Sequence, residues 1–378
     1  MNILQIGKTY PMIGGVDKVI YELSEGLSQR AFRCDVLCAS TDNLFHEIDL
    51  NQFSKVYAAP SIGKIASTWI SPALIVKLCK IIKQYDIIHI HHPDPMAAIA
   101  LFFAKTKGKK IVLHWHSDIV KQKMLLKFYA PLQSWLINRC DRIIATSEIY
   151  AQGSKHISKY SEKTIIIPIG VVVEYNLNQE NYDKLVAQYP RKKIIYSLGR
   201  LCYYKGYEYL IKAANFLNDD FVILIGGTGS LEKKLRNLIN SYKVGNKVKL
   251  LGKIKDDDMA AYFSASTLFC LPSIEKSEAF GIVQIEAMSY GKPIVATNIP
   301  FSGVSWVNKH GFSGLNVKPG CPEELANAIM TICNNPETLH QFSLNAKQRY
   351  KDEFSREMMI NRVLDVYKLL LNVTLSNR

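Results

Sequence analysis

The chain has 378 residues, enough for two domains of ordinary size that each bury a core of their own. Hydrophobic residues make up 48% of it and charged residues 21%, which is typical of a folded globular protein and excludes a disordered or collagen-like one. Lys and Arg number 47 against 33 Asp and Glu, and the resulting net charge of +14 favours nucleotides, phosphorylated lipids, an anionic membrane or nucleic acid as partners.

Two features of the sequence indicate a cytoplasmic protein. The eight cysteines form no CxxC pair and no zinc-type spacing, and several lie in apolar runs, so we expect reduced thiols. The chain opens on "MNILQIG" without the pattern of a signal peptide. Its longest apolar stretch, 96–104, is about half the roughly 20 residues that a spanning helix needs, so we expect no segment that crosses a bilayer.

Short apolar runs typical of buried parallel strands alternate with amphipathic segments typical of helices along most of the chain. The predicted strands of the first half are 2–7, 35–39, 87–91, 110–115, 142–145 and 164–167. A second series follows at 192–198, 221–226, 247–251, 267–271 and 293–296. Each series predicts a doubly wound sheet, and the fold class is therefore α/β.

The two series predict two Rossmann-like domains that face each other across a cleft, one over 1–173 and one over 190–354. The segment 173–191 is polar and rich in Asn, which favours an interdomain linker. A last helix is predicted within 355–378, with Ser355 as its cap and with a face that can pack on either lobe, including back on the first. Its apolar residues at helical spacing are Met359, Val363, Val366 and Leu370.

Paired glycines follow the first predicted strand, in "GKTYPMIGGVDKV". Gly14 and Gly15 stand between this strand and a helix, where glycines let a phosphate approach backbone amides and the positive end of the helix. The spacing matches neither GxGxxG nor GxxxxGK[ST], so neither a dinucleotide fingerprint nor a Walker loop is supported. A packing turn is the alternative for this pair, and "GGTG" at 226–229 is a signal of the same kind.

Histidines cluster at predicted strand ends, in "HIHHP" and "HWHSD". They are His89, His91, His92, His114 and His116. No Cys or carboxylate is patterned with them, so we expect satisfied polar groups for most of the five and no metal site. His116 is the exception, because the carboxyl ends of strands border the ligand crevices of open sheets.

The second half of the chain contains a more specific group of charged residues. "GRLCYYKGYEYL" places Arg200 and Lys205 between a strand and a helix, where two fixed cations can clamp a diphosphate. In "EAFGIVQIEAMSYGKP", Glu278 and Glu286 flank Gly281, which looks like a helix start whose exposed amides would receive phosphate oxygens. Carboxylates on either side could accept the hydroxyls of a sugar or ribose. A solvated helix face is the alternative for one Glu alone.

These residues carry a resemblance that spans nearly the whole chain. The motifs are the glycine loop, "HSD" at 116–118, "ATSE" at 145–148, "GRLCYYKG", "LPSIEKSEAFGIVQIEAMSYGKPIVAT" and "HGFSGLNVKPG". Together they resemble the retaining GT-B glycosyltransferases of family four, also called glycosyl transferases group 1, which use nucleotide diphosphate sugars. Within that family, "HWHSDIVKQK" is similar to segments of bacterial O-antigen mannosyltransferases.

The resemblance implies a role for each matching position. Arg200 and Lys205 would neutralise the donor diphosphate, Glu278 would hold the transferred sugar, Glu286 would hold the ribose, and His116 would contact the sugar near the reacting carbon. The implied catalytic residues are therefore His116, Arg200, Lys205 and Glu278. The implied substrate-binding residues, several of them through backbone amides, are Gly14, Gly15, Phe280, Gly281, Ile282, Val283 and Glu286.

One loop departs from the family pattern. Relatives usually read "PNGID" where this chain reads "IPIGVVVEY", which puts Ile169 and Val172 in place of Asn and Asp. The contacts that relatives make through that loop are therefore not carried over.

The resemblance implies a retaining transfer of a hexose, with mannose from GDP-mannose as our first choice, to a lipid-linked glycan of O-antigen or lipopolysaccharide biosynthesis. Cleaving a glycosyl phosphate bond builds negative charge on the leaving diphosphate, so fixed cations and amides lower the barrier and we expect no metal or other cofactor. Two alternatives stay open: a GT-B epimerase or hydrolase of nucleotide sugars, and a basic protein with an inactive cleft that binds nucleic acid or membrane. Nucleic acid is disfavoured because the sequence has no zinc finger, basic repeat or RNA-binding aromatic motif.

The segment 119–139 combines basic residues with apolar ones directly after His116. It predicts either an ordinary core helix or a helix that rests on an anionic membrane surface. Residues 1–173 hold 21 Lys and Arg against 13 Asp and Glu, which is +8 of the total +14. This asymmetry favours a lipid-linked acceptor and a peripheral position at the inner face of the plasma membrane.

Overall fold

A computed structural model describes residues 1–11, 14–66, 68–119, 123–172 and 176–372, without the side chains of 123–126. The chain divides into two compact units. Unit 1 comprises Met1–Val171 together with Ser355–Arg378, and unit 2 comprises Val172–Phe354.

Strands and helices alternate through both units. The strands are β1 (Asn2–Tyr10), β2 (Arg33–Ser40), β3 (His46–Asn51), β4 (Ser54–Ala59), β5 (Gly63–Ile65), β6 (Thr68–Ile70), β7 (Ile87–His92), β8 (Lys110–Trp115), β9 (Arg142–Ala145), β10 (Thr164–Ile166), β11 (Lys193–Leu198), β12 (Phe221–Gly226), β13 (Val248–Gly252), β14 (Leu268–Leu271), β15 (Ile294–Thr297) and β16 (Gly314–Val317). The helices are α1 (Gly15–Ser28), α2 (Pro72–Ile81), α3 (Pro95–Phe103), α4 (Lys123–Arg139), α5 (Glu148–Gly153), α6 (Gln179–Gln188), α7 (Tyr207–Ala213), α8 (Glu232–Ser241), α9 (Asp256–Ala265), α10 (Ile282–Ser289), α11 (Val304–Val307), α12 (Pro322–Cys333), α13 (Pro336–Arg349) and α14 (Arg356–Leu370).

Unit 1 is built on a sheet in the order β10-β9-β8-β7-β1-β2-β4-β3, parallel except for the edge strand β3. The strand order reverses between β1 and β7, so the ligand crevice of such a sheet lies beyond the carboxyl ends of these two strands. In register, Gln5 on β1 is opposite His89 on β7, and His91 on β7 is opposite His114 on β8. Alternating residues of a strand share a face, so these four side chains stand on one side of the sheet.

Unit 2 is built on a parallel sheet in the order β13-β12-β11-β14-β15-β16. Its central strands are mostly apolar and buried, as is typical of a parallel sheet covered on both faces; β12, for example, is buried at every position. Here the strand order reverses between β11 and β14, and the loops that follow these two strands border the switch point. Both units are thus doubly wound α/β sheets, which confirms the predicted fold class.

Every predicted strand is present, and the structure adds β3, β4, β5, β6 and β16. Of these, β3 and β16 are edge strands and β5 and β6 form a hairpin, and all four are at most partly buried, whereas β4 lies between β2 and β3 and is mostly buried. In β3, "HEIDLN", no residue is fully buried, so the sequence lacks the apolar run by which central strands are recognised.

The predicted linker 173–191 is wrong over much of its length, because α6 lies inside it. This helix is capped by the Asn178 side chain, which accepts a hydrogen bond from the amide of Asn181 at 3.1 Å, and it packs against α9 of unit 2. Leu185 is its one buried residue, so its sequence shows almost no apolar periodicity.

The last helix, α14, follows Ser355, whose hydroxyl accepts a hydrogen bond from the amide of Met358 at 3.4 Å, as predicted for its cap. The four apolar residues predicted for its inner face are all buried. The helix packs against α1 of unit 1, and Val171 forms a bridge with Ser355 at its start. A side chain at Gly170 would lie 2.4 Å from the Ser355 carbonyl oxygen, so this close approach requires glycine.

All eight cysteines are free thiols. Burial raises the pKa of Cys34 to about 12, so this thiol stays protonated at neutral pH. No helix in the described part of the chain is long and apolar enough to cross a membrane.

Candidate active site

Unit 2 brings two of the predicted charged residues into direct contact. Lys205 lies in a short 3-10 turn after β11, and Glu278 lies in the loop between β14 and α10. The Lys205 Nζ atom is 2.6 Å from Glu278 Oε2, and the two side chains are only 10% and 11% exposed. We call these two residues the charged pair.

The surroundings of the charged pair favour the ionised state. Ser273 donates a hydrogen bond to Glu278 Oε2 at 3.0 Å. Burial lowers the pKa of Lys205, but the charge of Glu278 and its hydrogen bond outweigh this, so that the pKa lies above its ordinary value. Lys205 is therefore a permanent cation at the switch point of the sheet.

Glycines fix the backbone around the charged pair. Gly199 has a φ of +152°, and a Cβ there would lie 2.9 Å from the Tyr207 hydroxyl and 3.2 Å from Lys205 Nζ. Gly206 has a φ of +67°, and a Cβ there would lie 2.1 Å from the carbonyl oxygen of Pro272. Any larger residue at these positions would strain the turn that carries Lys205.

Arg200 lies in the same loop but is exposed. Its guanidinium donates a hydrogen bond to the Tyr204 hydroxyl at 3.2 Å. A guanidinium has five N–H donors in a planar fork, which suits phosphate oxygens. The loop after β11 thus contributes one buried, paired cation and one exposed cation.

The loop after β14 ends in the first turn of α10. Gly281 caps this helix with a φ of +77°, and Ile282 and Val283 form its first turn, where amides have no carbonyl partner within the helix. The Phe280 side chain is buried against Trp306 and Phe354, so this residue offers only its backbone to a ligand.

Glu286 follows one turn along α10 and is half-buried. Burial raises the pKa of Tyr196 on β11, and the charge of Glu286 raises it further, which places this carboxylate near the central strand of unit 2. Its predicted contact with a ribose stays a prediction.

In unit 1, the predicted glycine loop forms the start of α1. Gly14 caps the helix, and Asp17 accepts hydrogen bonds from the Gly14 amide at 3.1 Å and from the Thr9 amide at 3.3 Å. The φ of Gly14 is −146°, which any residue adopts, and a Cβ there would meet only Asp17 Oδ2 at 3.9 Å. Gly15, the first helical residue, is exposed. Packing therefore does not require glycine at position 14.

Four of the five predicted histidines stand face to face in unit 1. Neighbouring rings lie 4.1 Å to 5.3 Å apart between centroids and within 30° of parallel. We call these residues, His89, His91, His114 and His116, the histidine stack. His92 instead stacks on Trp115, with ring centroids 3.6 Å apart.

Hydrogen bonds connect the stack to β1 and α14. The His91 ring bonds to His116 Nε2 through Nδ1 at 2.9 Å and to Gln5 Oε1 through Nε2 at 2.7 Å. The Gln5 amide nitrogen donates to the Tyr367 hydroxyl at 3.2 Å, and that hydroxyl bonds to His89 Nδ1. One connected chain of polar groups thus runs from the end of β8 to the last helix.

Burial keeps the histidine stack neutral. It lowers the pKa of His114 to about 3 and holds the pKa values of His89, His91 and His116 well below their ordinary range. Ring nitrogens of His89, His91 and His114 lie within 4.8 Å of one another, a spacing that could hold a metal ion. A metal ion must lie in the plane of each imidazole ring that binds it, and the nearly parallel planes of stacked rings do not meet at one point between them. Both ring nitrogens of His91 are also already hydrogen-bonded. His89, His91 and His116 therefore fit a hydrogen-bonded relay better than a metal centre, whereas neither ring nitrogen of His114 has a hydrogen-bond partner among the described residues.

Comparisons with known proteins show the family of the chain. Residues 13–175 match the model of Glycosyltransferase Family 4, and residues 178–349 match that of Glycosyl transferases group 1. The O-antigen chain mannosyltransferase C of Escherichia coli is 30% identical over 98% of this chain and 99% of its own length. The chain belongs to the group 1 glycosyltransferases.

Other relatives of this glycosyltransferase support the same family and fold. The D-rhamnosyltransferase WbpZ of Pseudomonas aeruginosa is 31% identical over 94% of the chain and 92% of its own length. The crystal structure of Anabaena Alr3699/HepE in complex with UDP matches with a TM-score of 0.76 and 22% identity, over 98% of this chain and all of that one. The predicted GT-B fold is confirmed.

One of the two residues by which this glycosyltransferase departs from "PNGID" is buried. Ile169 is 4% exposed and lies in the core of unit 1.

The predicted segment 119–139 is described only in part: Lys121 lies outside the described residues, and nothing is described for the side chain of Lys123. From Lys127 onwards, α4 is described in full.

The sequence prediction missed several partners of the site residues. Ser273 lies beside Glu278, and Tyr204 lies beside Arg200; a polar side chain near a predicted charge is the only signal for either. Gln5 and Tyr367 are 362 positions apart in this glycosyltransferase, and no local pattern indicates that they meet.

Proposed function

We propose that this glycosyltransferase moves a hexose, with retention, from a nucleotide diphosphate sugar to a lipid-linked glycan acceptor at the cytoplasmic face of a bacterial membrane. Mannose from GDP-mannose is our first choice of donor. The names of two relatives, a mannosyltransferase and a D-rhamnosyltransferase, support a hexose or deoxyhexose donor. The observation that carries the proposal is the charged pair beside Arg200 at the switch point of unit 2.

The charges of unit 2 suit a diphosphate. Lys205 is neutralised by Glu278 before any ligand arrives, so the exposed guanidinium of Arg200 supplies the net positive charge of this group. The first-turn amides of α10 add the positive end of a helix dipole. The Lys205 ammonium group has three N–H donors, so it can bind an oxygen of the diphosphate while it stays paired with Glu278. The other carboxylate oxygen of Glu278 can then accept a hydrogen bond from a sugar hydroxyl.

These groups would lower the barrier of transfer. As the bond between the anomeric carbon and the diphosphate breaks, negative charge grows on the leaving oxygen, and Arg200, Lys205 and the helix amides stabilise it. The acceptor hydroxyl attacks the same face of the sugar. Its proton passes to the leaving phosphate oxygen as the new glycosidic bond forms, so retention needs no separate protein base.

The main experiment offers a panel of nucleotide sugars with a lipid diphosphate saccharide and reads the products by mass spectrometry and by NMR of the new anomeric centre. We expect transfer from one donor with the donor's anomeric configuration. Hydrolysis or epimerisation without acceptor would contradict the proposal in favour of a hydrolase or epimerase. An inverted product would contradict the same-face mechanism alone.

We also propose that transfer needs no divalent metal, because side-chain cations already face the diphosphate in unit 2. Treatment with EDTA followed by assay in metal-free buffer tests this. Turnover should persist at the untreated rate. Loss of turnover that Mn²⁺ or Mg²⁺ restores would contradict it.

The acceptor side of the proposal is supported by an aromatic surface on α3 and α4, two helices of unit 1 that pack together. It consists of Phe102, Phe103, Phe128 and Trp135. Phe128 is 84% exposed and Phe103 64% exposed, and the ring centroids of Phe102 and Trp135 are 5.0 Å apart. Because Phe128 and Trp135 are seven positions apart on a helix, they share one face.

Exposed lysines border this aromatic surface in the sequence: Lys105 and Lys107 follow α3, and Lys127 precedes Phe128. Aromatic rings that enter the headgroup layer, together with nearby cations, are typical of peripheral binding to anionic lipid, where each Lys adds about 1 kcal/mol. We therefore propose that unit 1 rests on an anionic membrane from which the lipid-linked acceptor is taken.

Sedimentation with vesicles tests the membrane contact. Binding to phosphatidylglycerol vesicles should exceed binding to phosphatidylcholine vesicles and weaken with salt. Changing Lys105, Lys107 and Lys127 together to Glu, or Phe103 and Phe128 together to Ser, should abolish it. The matched control Phe216→Ser, at a 49% exposed phenylalanine of unit 2, should not. Equal binding to both vesicle types, or indifference to these changes, would contradict the membrane contact.

A further inference from the structure

The polar chain inside unit 1 has a definite order of donors and acceptors. The carbonyl oxygen of Gln5 faces His91 Nε2, and its amide nitrogen faces Tyr367. A carbonyl oxygen only accepts, so His91 must carry its proton on Nε2. The neutral ring of His91 then has a bare lone pair on Nδ1.

This assignment fixes the next ring. The bare Nδ1 of His91 can only accept, so the proton between the two rings belongs to His116 Nε2. His116 is itself neutral because of its burial, and its Nδ1 is left with a lone pair. That nitrogen is buried and has no hydrogen-bond partner among the described residues. His116 directly follows β8, at the carboxyl edge of the sheet.

The other end of the chain holds the Gln5 amide in place. Gln5 donates to the Tyr367 hydroxyl, which is also hydrogen-bonded to His89 Nδ1. The Gln5 amide nitrogen also faces Cys34 Sγ at 3.7 Å. Tyr367 comes from α14, so the last helix of the chain contributes a partner that holds the Gln5 amide in place.

We propose that Gln5, His91 and Tyr367 are positioning residues that hold His116 in the tautomer with a proton on Nε2 and a lone pair on Nδ1, ready to accept a hydrogen bond from a sugar hydroxyl. A histidine free to exchange tautomers would offer an acceptor only part of the time, and the opposite tautomer would present an N–H to the same hydroxyl. An unpartnered buried nitrogen is unfavourable in the free protein and gains its partner when the hydroxyl arrives. This inference rests on the proposed function for the identity of the ligand, but the tautomer does not depend on it.

Nitrogen NMR of the whole protein labelled with ¹⁵N-histidine tests the tautomer directly, because two-bond spectra distinguish a protonated ring nitrogen from a bare one. The His116 signals are assigned by their loss in His116→Asn. We expect a proton on Nε2 and none on Nδ1 in the wild type. A proton on Nδ1, or averaging of the two forms, would overturn the proposal whether or not the protein transfers a sugar.

Two substitutions at His91 separate hydrogen bonding from ring stacking. His91→Phe keeps an aromatic ring in the histidine stack but removes the acceptor, whereas His91→Asn removes the ring but can place an amide oxygen near the former Nδ1. We expect His91→Phe to average the His116 tautomers and to lower kcat about tenfold with little change in the KM for acceptor. His91→Asn should keep the wild-type tautomer and most of kcat.

If His91→Phe keeps its activity and His91→Asn loses it, ring stacking alone matters, and this result would overturn the proposal.

Tyr367→Phe supplies a second test, because it removes the hydroxyl that orients Gln5. The His116 tautomers should then average while thermal unfolding stays that of a folded protein. If the transferase proposal itself is wrong, the wild type transfers no sugar to an acceptor, whereas the tautomer results stand because they do not depend on turnover.

Discussion

The two units carry opposite kinds of polar site at equivalent places. In unit 2, the charged pair and Arg200 are ionised groups in the loops after β11 and β14. In unit 1, the histidine stack and Gln5 are neutral groups along β1, β7 and β8, with His116 just past the end of β8. Both sets border a switch point of a doubly wound sheet, so the difference lies in the side chains and not in the scaffold.

This difference suits the ligand proposed for each unit. A diphosphate carries its charge in every state, so permanent cations in preorganised positions suit it. Sugar hydroxyls are neutral, and a buried neutral acceptor binds them without the cost of desolvating a charge. Burial disfavours the charged form in both units. In unit 2 the charge of Glu278 outweighs this effect on Lys205, whereas in unit 1 no opposite charge does so for the histidine stack, which stays neutral.

The largest expected effect is the acid sensitivity of unit 1. Below about pH 6.5, the histidines of the unfolded chain take up protons while those of the stack do not, so stability present at pH 7 is lost as the pH falls. Each histidine contributes up to about 1.4 kcal/mol per pH unit. Hydrogen exchange corrected for its intrinsic pH dependence should show β7 and β8 losing protection between pH 7 and 5.5 well before β11 and β12.

A matched pair of variants sharpens this comparison. His114→Phe keeps a stacked ring but removes one titrating group, so the acid dependence should become shallower. His340→Phe, at an exposed histidine of unit 2, should leave it unchanged. Equal acid loss in the two units, or no difference between the variants, would contradict the role of burial.

The next effect concerns the charged pair. Lys205→Ala removes a cation from the diphosphate site and leaves Glu278 buried without its partner. We expect turnover to fall at least about 100-fold and the free energy of unfolding of unit 2 to fall by about 3 kcal/mol. Steady-state kinetics and denaturant unfolding measure the two losses separately.

The double variant Lys205→Ala with Glu278→Gln should recover most of the lost stability but none of the lost turnover. The neutral amide introduced at position 278 needs no counterion, and Ser273 can still form a hydrogen bond with it. If the free energy of unfolding does not recover, the loss in Lys205→Ala does not come from the unpartnered charge of Glu278.

Arg200→Ala should lower turnover without lowering the stability of the fold. The side chain is exposed, so the free energy of unfolding should not change, whereas turnover should fall about 100-fold. Arg236→Ala is the control, because Arg236 is an exposed arginine of α8 whose ion pair with Glu232 is on the helix surface. Similar kinetics for the two variants would contradict a special role for Arg200.

A smaller effect is expected at the glycine loop of unit 1. Gly14→Ala should leave stability unchanged, because the backbone is extended there and the added methyl group meets only Asp17 at 3.9 Å. If a ligand phosphate approaches this backbone, the KM for donor should rise about tenfold, which corresponds to 1.4 kcal/mol. An unchanged KM would mean that the glycines form only a turn.

Most of the scaffold could be predicted from the sequence, because central parallel strands are apolar runs with a strong signal. β12, "FVILIG", is such a run, whereas the half-exposed β3 and the polar α6 carry no comparable pattern. The charged residues of unit 2 could also be identified, since Arg200, Lys205 and Glu278 stand in motifs beside predicted strand ends.

The relay in unit 1 could not be predicted in the same way. The sequence shows only that His89 and His91, like His114 and His116, are two positions apart, and satisfied polar groups at strand ends are the simpler interpretation of most of them. Their connection depends on Gln5 in the first strand and Tyr367 in the last helix, which meet only through tertiary packing. The direction of hydrogen bonds along the chain is a property of three-dimensional contacts and has no local sequence pattern.

The most direct test of the account is calorimetric binding of the donor's nucleoside diphosphate and of the corresponding monophosphate to wild type and Arg200→Ala. The account predicts that the wild type binds the diphosphate at least about tenfold more tightly and that Arg200→Ala loses this preference while it still binds the monophosphate. Equal affinity of the wild type for both nucleotides, or a preference that survives in Arg200→Ala, would contradict the claim that the fixed cations of unit 2 hold the donor diphosphate.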